Sequence, residues 1–297
     1  MVTVPGALTS EQLRAMLKWL LPLAHEAGQA ILAVYKASQL HPNGSSSVLV
    51  HHKSDHSPLT EADLAAHQII AAGLAQHAPA ILLISEESFK PEQLLAVQQS
   101  GSTFWLVDPL DGTKEFLSGT GEFTVNIALI ENRKPVLGVV YQPTTEELFW
   151  GGADLGAWRA VGGEGAYELN SGCDHQLMTV KSRSEPPWRI LASRSHLGPQ
   201  TRTLIERMGQ TELMQAGSSL KFCRIAAGLA DFYPRLGFTS QWDTAAAQAV
   251  LEGAGGCVID LQGQPLSYGQ PDIINPHFLA SALPYEKVMH WWGDRLT

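Results

Sequence analysis

Apolar residues recur every third or fourth position from Leu13 through Met16, Leu17, Leu20, Leu21, Ala24 and Ala27 to Ile31, the spacing of one helix face. Thr9-Ser-Glu-Gln12 ahead of them has the form of a capping box, so an amphipathic first helix is predicted, with Pro22 as the place where it bends or breaks. From His41 to Ser57 the composition changes to Pro, Asn, Gly, Ser and His around a short Val48-Leu-Val50, which predicts a loop. Its histidines, His51, His52 and His56, lack helical spacing or a neighbouring cysteine and read as solvated surface before metal ligands. A second helix is predicted on Ala66, Ile69, Ile70 and Leu74, with Thr60 as N-cap and Asp63 in the first turn, where the helix dipole favours an acid. Capping accounts for Thr60 and Asp63. Asp55, placed before Pro58 and outside that helix, has no such duty and stands as a functional candidate.

Two short runs, Ala80 to Ile84 and Phe104 to Val107, are continuously apolar, the pattern of strands buried on both faces. Both finish in acids: Ser85-Glu86-Glu87 after the first, and Asp108-Pro-Leu-Asp-Gly-Thr113 after the second, with Asp108-Pro109 expected to turn the chain. The carboxyl ends of strands line the ligand crevice in open α/β sheets, so Glu86, Asp108 and Asp111 can meet there. Gly112 permits a close approach of main chain to ligand, and the Thr113 hydroxyl can orient a water. Taken singly, the same residues also suit a solvated loop start and a turn capped by its own side chains.

Alternation from Phe123 to Ile130, a turn at Asn132-Arg-Lys134, a return from Pro135 to Tyr141 and a further run from Glu147 to Trp150 predict an antiparallel meander. The glycine-rich stretch Ala160 to His175 is the expected lobe boundary. It divides an N-terminal α+β lobe, 1–160, from a C-terminal α/β lobe, 161–297. The second half alternates strand and helix: Trp188 to Ser193, a helix after Gly198-Pro199, Glu212 to Gln215, a helix through Lys221 to Leu229, and a strand at Asp231 to Arg235. A last helix starts at Trp242-Asp243 and closes at Gly253-Ala-Gly-Gly256, where capping would by itself explain Asp243.

Composition narrows the chemistry. The 297 residues are 44% hydrophobic and 16% charged, enough for a sizeable core, and 20 Lys+Arg against 29 Asp+Glu leave a net charge of −9. That balance argues against nucleic acid and against a polybasic membrane patch, so an anionic ligand has to be met by local cations or by metal. The three cysteines, Cys173, Cys223 and Cys257, are odd in number and never spaced Cys-x-x-Cys, which indicates neither a disulfide frame nor a zinc site and suggests a reducing, cytoplasmic setting. No apolar run approaches the length of a spanning helix, so no integral membrane segment is expected. If Glu86, Asp108, Asp111 and Asp243 do converge, each pair at about 5 Å and an effective dielectric of about 20 repels by about 3 kcal/mol, which calls for protons or cations. An all-oxygen set suits Mg²⁺ or Mn²⁺ better than zinc, and Mg²⁺ commonly shares its shell with substrate phosphate.

These motifs resemble the inositol monophosphatase superfamily. The resemblance rests on Asp108-Pro-Leu-Asp-Gly-Thr113, Glu86-Glu87, the Asp55 to Asp63 segment, and Trp242-Asp-Thr-Ala-Ala246 with Ala254-Gly-Gly256. Ser85-Glu-Glu87, Gly112 to Phe116, Gly121 to Ile130, Ser193-Arg-Ser-His196 and Gly217 to Cys223 are similar to CysQ-type 3′(2′),5′-bisphosphate nucleotidases within it. The resemblance covers almost the whole chain. It implies an α/β (α+β) fold, a layered α-β-α-β-α sandwich of the inositol monophosphatase and fructose-1,6-bisphosphatase type. It implies a lithium-sensitive, Mg²⁺-dependent phosphatase that removes the 3′-phosphate of adenosine 3′,5′-bisphosphate and of its sulfated relative, in sulfur metabolism.

Carried over position by position, Glu86, Asp108, the Leu110 carbonyl and Asp111 hold the first metal ions, and Asp111 with Asp243 a further one, two or three ions in all. Asp55 and Thr113 orient and deprotonate the attacking water, with Glu86 beside them. Gly112, Thr113, Ser218, Lys221, Arg235 and Asp243 contact substrate. The expected partner is a small phosphorylated nucleotide, and the expected state a monomer or a dimer. The resemblance adds peripheral association with the cytoplasmic side of the inner membrane as a further expectation. The alternative on the same scaffold is an inositol or sugar monophosphatase. A non-catalytic phosphate-binding protein would be expected to have a broken acid set, and here the set is complete.

Overall fold

The computed structural model describes residues 7–39, 50–52, 58–100, 103–162, 167–169, 175–193 and 198–296. In chain order the elements are α1 (Ser10–Gln39), β1 (Val50–His52), β2 (Pro58–Thr60), α2 (Glu61–His77), β3 (Leu82–Ser85), α3 (Pro91–Ser100), β4 (Phe104–Asp111), α4 (Thr113–Leu117), β5 (Thr124–Glu131), β6 (Lys134–Gln142), β7 (Glu147–Gly152), β8 (Gly156–Val161) and β9 (Gln176–Met178). They continue with β10 (Trp188–Ser193), α5 (Pro199–Arg207), β11 (Thr211–Ala216), α6 (Leu220–Ala226), β12 (Phe232–Arg235), α7 (Gln241–Gly253), β13 (Cys257–Asp260), β14 (Phe278–Ser281) and α8 (Tyr285–Leu296). Seven strands form one sheet in the order β3-β4-β5-β6-β7-β8-β9. Five form another in the order β11-β10-β12-β14-β13, and β1 pairs with β2.

The alternating faces of β4 explain the layering. Trp105 and Val107 pack with Leu20, Leu21, Ala24 and Ala27 of α1 and with Ala66 and Ile70 of α2. Phe104 and Leu106, on the opposite face, pack with Leu220 and Phe222 of α6 and with Ala245, Ala246 and Val250 of α7. That middle helical layer also receives Leu191, Tyr233 and Phe278 from the five-stranded sheet. The outer face of that sheet, with Ile190, Phe232, Ile259 and Leu279, is covered by Leu204 and Ile205 of α5 and by Val288 of α8. The order is therefore helices, sheet, helices, sheet, helices, as expected. With both faces of β4 covered, its sequence has no polar side to show and reads as a continuous apolar run. A Cβ at Gly138 would run into the Ala246 carbonyl, so the alanine-rich α7 lies directly on β6.

Several expectations change. The capping box at Thr9 forms, with the Thr9 amide donating to Gln12 Oε1 at 2.8 Å and the Gln12 amide to Thr9 Oγ1 at 3.2 Å. Beyond it α1 runs unbroken through Pro22, because Leu20, Leu21 and Ala24 around the proline are fully buried and hold the helix despite the missing donor. The chain does not turn at Asp108-Pro109. β4 continues to Asp111, with a register shift against β5 between Asp108 and Asp111. The helix expected to reach Leu229 ends at Ala226. The first sheet takes in β9, which pairs with β8, so the chain crosses to the second sheet between Met178 and Trp188, beyond the glycine-rich stretch expected to be the boundary. Part of the expected 41–57 loop, Val50–His52, is a strand. The rest of it, with Asp55 and His56, lies outside the described residues.

Candidate active site

Register brings the first two acids together. Ser85 is paired with Val107 in the parallel β3–β4 ladder, so Glu86, which opens a 3-10 turn after β3, stands beside Asp108 within β4. Their carboxyl groups are hydrogen-bonded, and Asp108 is buried, its Oδ1 accepting the Leu110 amide at 3.0 Å. The bulge after Asp108 then allows Asp111, three positions on, to serve the same site, although a regular strand would send it to the other face. Asp111 is fixed by two donors on one oxygen: the Ser219 amide at 2.6 Å and Asn126 Nδ2 at 3.4 Å both reach Oδ2. Asp243 arrives from α7. Its Oδ2 accepts the Ser240 amide at 2.9 Å in a reciprocal capping box, so it does cap the helix, and it faces the other acids as well.

The electrostatics record this convergence. Burial first, then repulsion from Glu86, Asp111 and Asp243, holds the Asp108 carboxyl well above the usual range. Asp243 is likewise raised, by burial and then by Asp111 and Glu86. Asp111 is pushed up to about 6 by burial, opposed by the Lys221 ammonium and the Ser219 amide. Among the described residues no three carboxylate, imidazole or thiol groups close tightly enough on one point to enclose an ion by themselves.

Two cations complete the wall. Lys221 is buried, donates from Nζ to the Ser218 carbonyl at 2.5 Å and the Ala216 carbonyl at 3.2 Å, and sits 5.1 Å over the Tyr233 ring. Burial pulls its pKa down to about 8, with Asp111 opposing. Arg235, 9% exposed, donates from Nη2 to the Phe238 carbonyl at 2.9 Å, while its buried Nε finds no partner among the described residues. Asp111, Asp243, Lys221 and Arg235 line one cavity of about 730 Å³, together with Gly112, Thr113 and Ser218. Gly112 adopts φ 94° there, a left-handed cap to α4 that a side chain would strain. Ser218 is also left-handed, at φ 45°, and its hydroxyl meets Thr124 Oγ1 at 2.8 Å. Of the residues expected at the site, all but Asp55 therefore fall in one neighbourhood.

Asp63 was accounted for by capping alone, and it does more. Its Oδ2 accepts the Thr60 amide at 2.8 Å and the Thr60 hydroxyl at 2.5 Å, while Oδ1 stands 3.5 Å from the Thr113 hydroxyl. That hydroxyl is also 3.5 Å from the Leu110 carbonyl. The signal available in the sequence was that a carboxylate has two oxygens and a cap occupies one. Asn126 and Ser219, which hold Asp111, gave no such signal: Asn126 stands in a run that reads as strand, and Ser219 in the connection between an expected strand and an expected helix.

The chain is similar to known proteins along most of its length. The chain is 42% identical over 267 residues to the 3′(2′),5′-bisphosphate nucleotidase CysQ of Shigella flexneri, covering 90% of this chain and 99% of that protein. The CysQ of Escherichia coli strain K12 is 41% identical over the same length. Among solved structures, CysQ from Bacteroides thetaiotaomicron aligns with a TM-score of 0.74 at 36% identity, over 90% of this chain and 96% of that one. The pattern that defines the inositol monophosphatase family matches residues 12–290, and the chain belongs to that family.

Proposed function

We propose that the protein is a 3′(2′),5′-bisphosphate nucleotidase that hydrolyses the 3′-phosphate of adenosine 3′,5′-bisphosphate to leave adenosine 5′-phosphate, and acts in the same way on the 5′-phosphosulfate relative. The observation that carries this reading is a set of buried acids, Asp108, Asp111 and Asp243, whose carboxyl groups repel one another, two of them, Asp111 and Asp243, on the wall of the cavity that also holds two buried cations. The naming of the curated relatives as bisphosphate nucleotidases supports the choice of substrate.

The donor set fits a hard divalent cation. It is all oxygen, and its acids repel one another when no cation lies between them. Mg²⁺ takes one or two carboxylates directly and fills the rest of its shell with water and phosphate. Glu86, Asp108, the Leu110 carbonyl, Asp111 and Asp243 would hold it, Mn²⁺ being the alternative. Bound there, the ion supplies charge to the phosphate oxygens and lowers the pKa of water.

The chain's own groups do the rest. The Thr113 hydroxyl donates to Asp63 and so presents its lone pairs to the attacking water, and Asp63 stands ready to take a proton. Water adds to phosphorus, the P–O bond to the ribose 3′-oxygen breaks, its electron pair leaves on that oxygen, and the oxygen gains a proton. Lys221 and Arg235 meet the anionic charge of the second phosphate. A single inositol or sugar phosphate would use fewer of these groups.

Phosphate release from adenosine 3′,5′-bisphosphate, its sulfated form, inositol 1-phosphate and fructose 1,6-bisphosphate tests the reading. The bisphosphate nucleotides are expected to lead in kcat/KM by at least tenfold; inositol 1-phosphate in first place would establish the alternative, and no release from any would point to a binding protein.

A further inference from the structure

The lining of the cavity also includes a stretch different in kind from the groups described so far. It is Leu236, Gly237 and Phe238, which follow Arg235 and precede Thr239 in the sequence. Phe238 is 84% exposed, more than any other large apolar residue among the described ones, the next being Leu177 at 62%. An aromatic ring so open to water has no part in the core and covers no neighbour. Its main chain is nevertheless anchored. The carbonyl accepts Arg235 Nη2 at 2.9 Å, and a side chain at Gly237 would lie 3.6 Å from the guanidinium. Arg235 is itself buried and belongs to β12, so the segment that presents the ring is tied to that strand, in the cavity that Lys221 and Asp243 also line.

Phosphate recognition leaves this ring unused. A purine has an apolar face of matching width, and a base stacked on an aromatic side chain is stabilised without any hydrogen-bonding code. We propose that Phe238 is the platform on which the nucleobase of the substrate stacks, and that it sets the preference of the cavity for nucleotides over phosphates that carry no base. This rests on the nucleotidase reading and adds to it the residue that selects the base.

Three proteins, the wild type, Phe238→Ala and Phe238→Tyr, are to be compared on adenosine 3′,5′-bisphosphate and on the abasic 1-O-methylribose 3,5-bisphosphate. The ratio of kcat/KM between the two substrates is expected to fall about tenfold in Phe238→Ala, through KM, and to return to within about twofold in Phe238→Tyr. An equal loss on both substrates, or no change in the ratio, would overturn the proposal. Binding gives a second readout that does not need turnover. The additional fluorescence of Phe238→Trp over wild type is expected to be quenched by adenosine 5′-phosphate and not by ribose 5-phosphate. Quenching in a protein that does not hydrolyse the bisphosphate would defeat the nucleotidase reading and leave the platform standing. Turnover with no dependence on the ring would do the reverse.

Discussion

Asp63 and Thr113 show how one side chain can satisfy two demands. The Oδ2 of Asp63 is taken up by Thr60 at the start of α2, which leaves Oδ1 oriented toward the Thr113 hydroxyl. At 3.5 Å that contact is at the long end of a hydrogen bond. Asp63→Asn keeps a competent capping group, so stability is expected to fall by no more than about 1 kcal/mol. Its amide cannot take a proton from water, and kcat is expected to drop by about two to four orders of magnitude at similar KM. Asp55→Asn is the companion measurement, because sequence reasoning favoured that residue for the same task. A large loss of kcat in Asp55→Asn together with a small one in Asp63→Asn would return the base to Asp55. The reason Asp63 was passed over is physical: its position in the first helical turn is fully explained by the dipole and the cap, and nothing in a linear pattern reports where a second oxygen points.

At the scale of elements, α7 was legible at both ends, from Trp242-Asp243 and from the glycines after Leu251, because caps are local chemistry. β13, β14 and α8 were not foreseen. They are short segments whose burial comes from packing against β12 and α5, partners distant in sequence. The far end of α7 carries a titrating group that the catalytic site does not use. Burial raises Glu252 to about 7, against the Gln248 amide, which donates to its Oε1 at 2.8 Å, and against Lys134. The folded pKa lies above the unfolded one of 4.5, so the stability this group contributes is complete below about pH 4.5 and is lost as the pH rises through about 7. Glu252→Gln retains an oxygen to accept from Gln248 and carries no charge. Thermal unfolding is expected to show it stabilised at pH 8, by at most about 3 kcal/mol, with much less gain at pH 5. A gain of the same size at both pH values would place the effect in packing and not in the buried charge.

Across the whole molecule the site groups are drawn from different layers. Asp108 and Asp111 come from the first sheet and Glu86 from the turn that follows its first strand, Asp243 and Lys221 from helices between the sheets, and Arg235 from the second sheet. The two acid-ended strands could be read from their unbroken apolar runs. That they lie parallel and adjacent, with Ser85 opposite Val107, is a property of pairing that no single run contains. The folded pKa of Asp111, about 6 without a cation, lies above its ordinary value of 3.8, so its contribution to stability is present below about pH 4 and is lost as the pH rises through about 6. Asp108 and Asp243, raised in the same direction, add to that loss. A divalent cation that binds only the folded arrangement opposes it, and does so most where the acids are ionised. Millimolar Mg²⁺ is therefore expected to raise Tm by several degrees at pH 8 and by little at pH 5. In Asp111→Asn the metal-free protein should unfold at a higher temperature than wild type at pH 8, with the Mg²⁺-induced rise reduced and turnover abolished. Differential scanning calorimetry with and without Mg²⁺ at the two pH values decides it: an equal Mg²⁺ effect at pH 5 and pH 8, or one undiminished by Asp111→Asn, would mean that the cation binds somewhere other than among these acids.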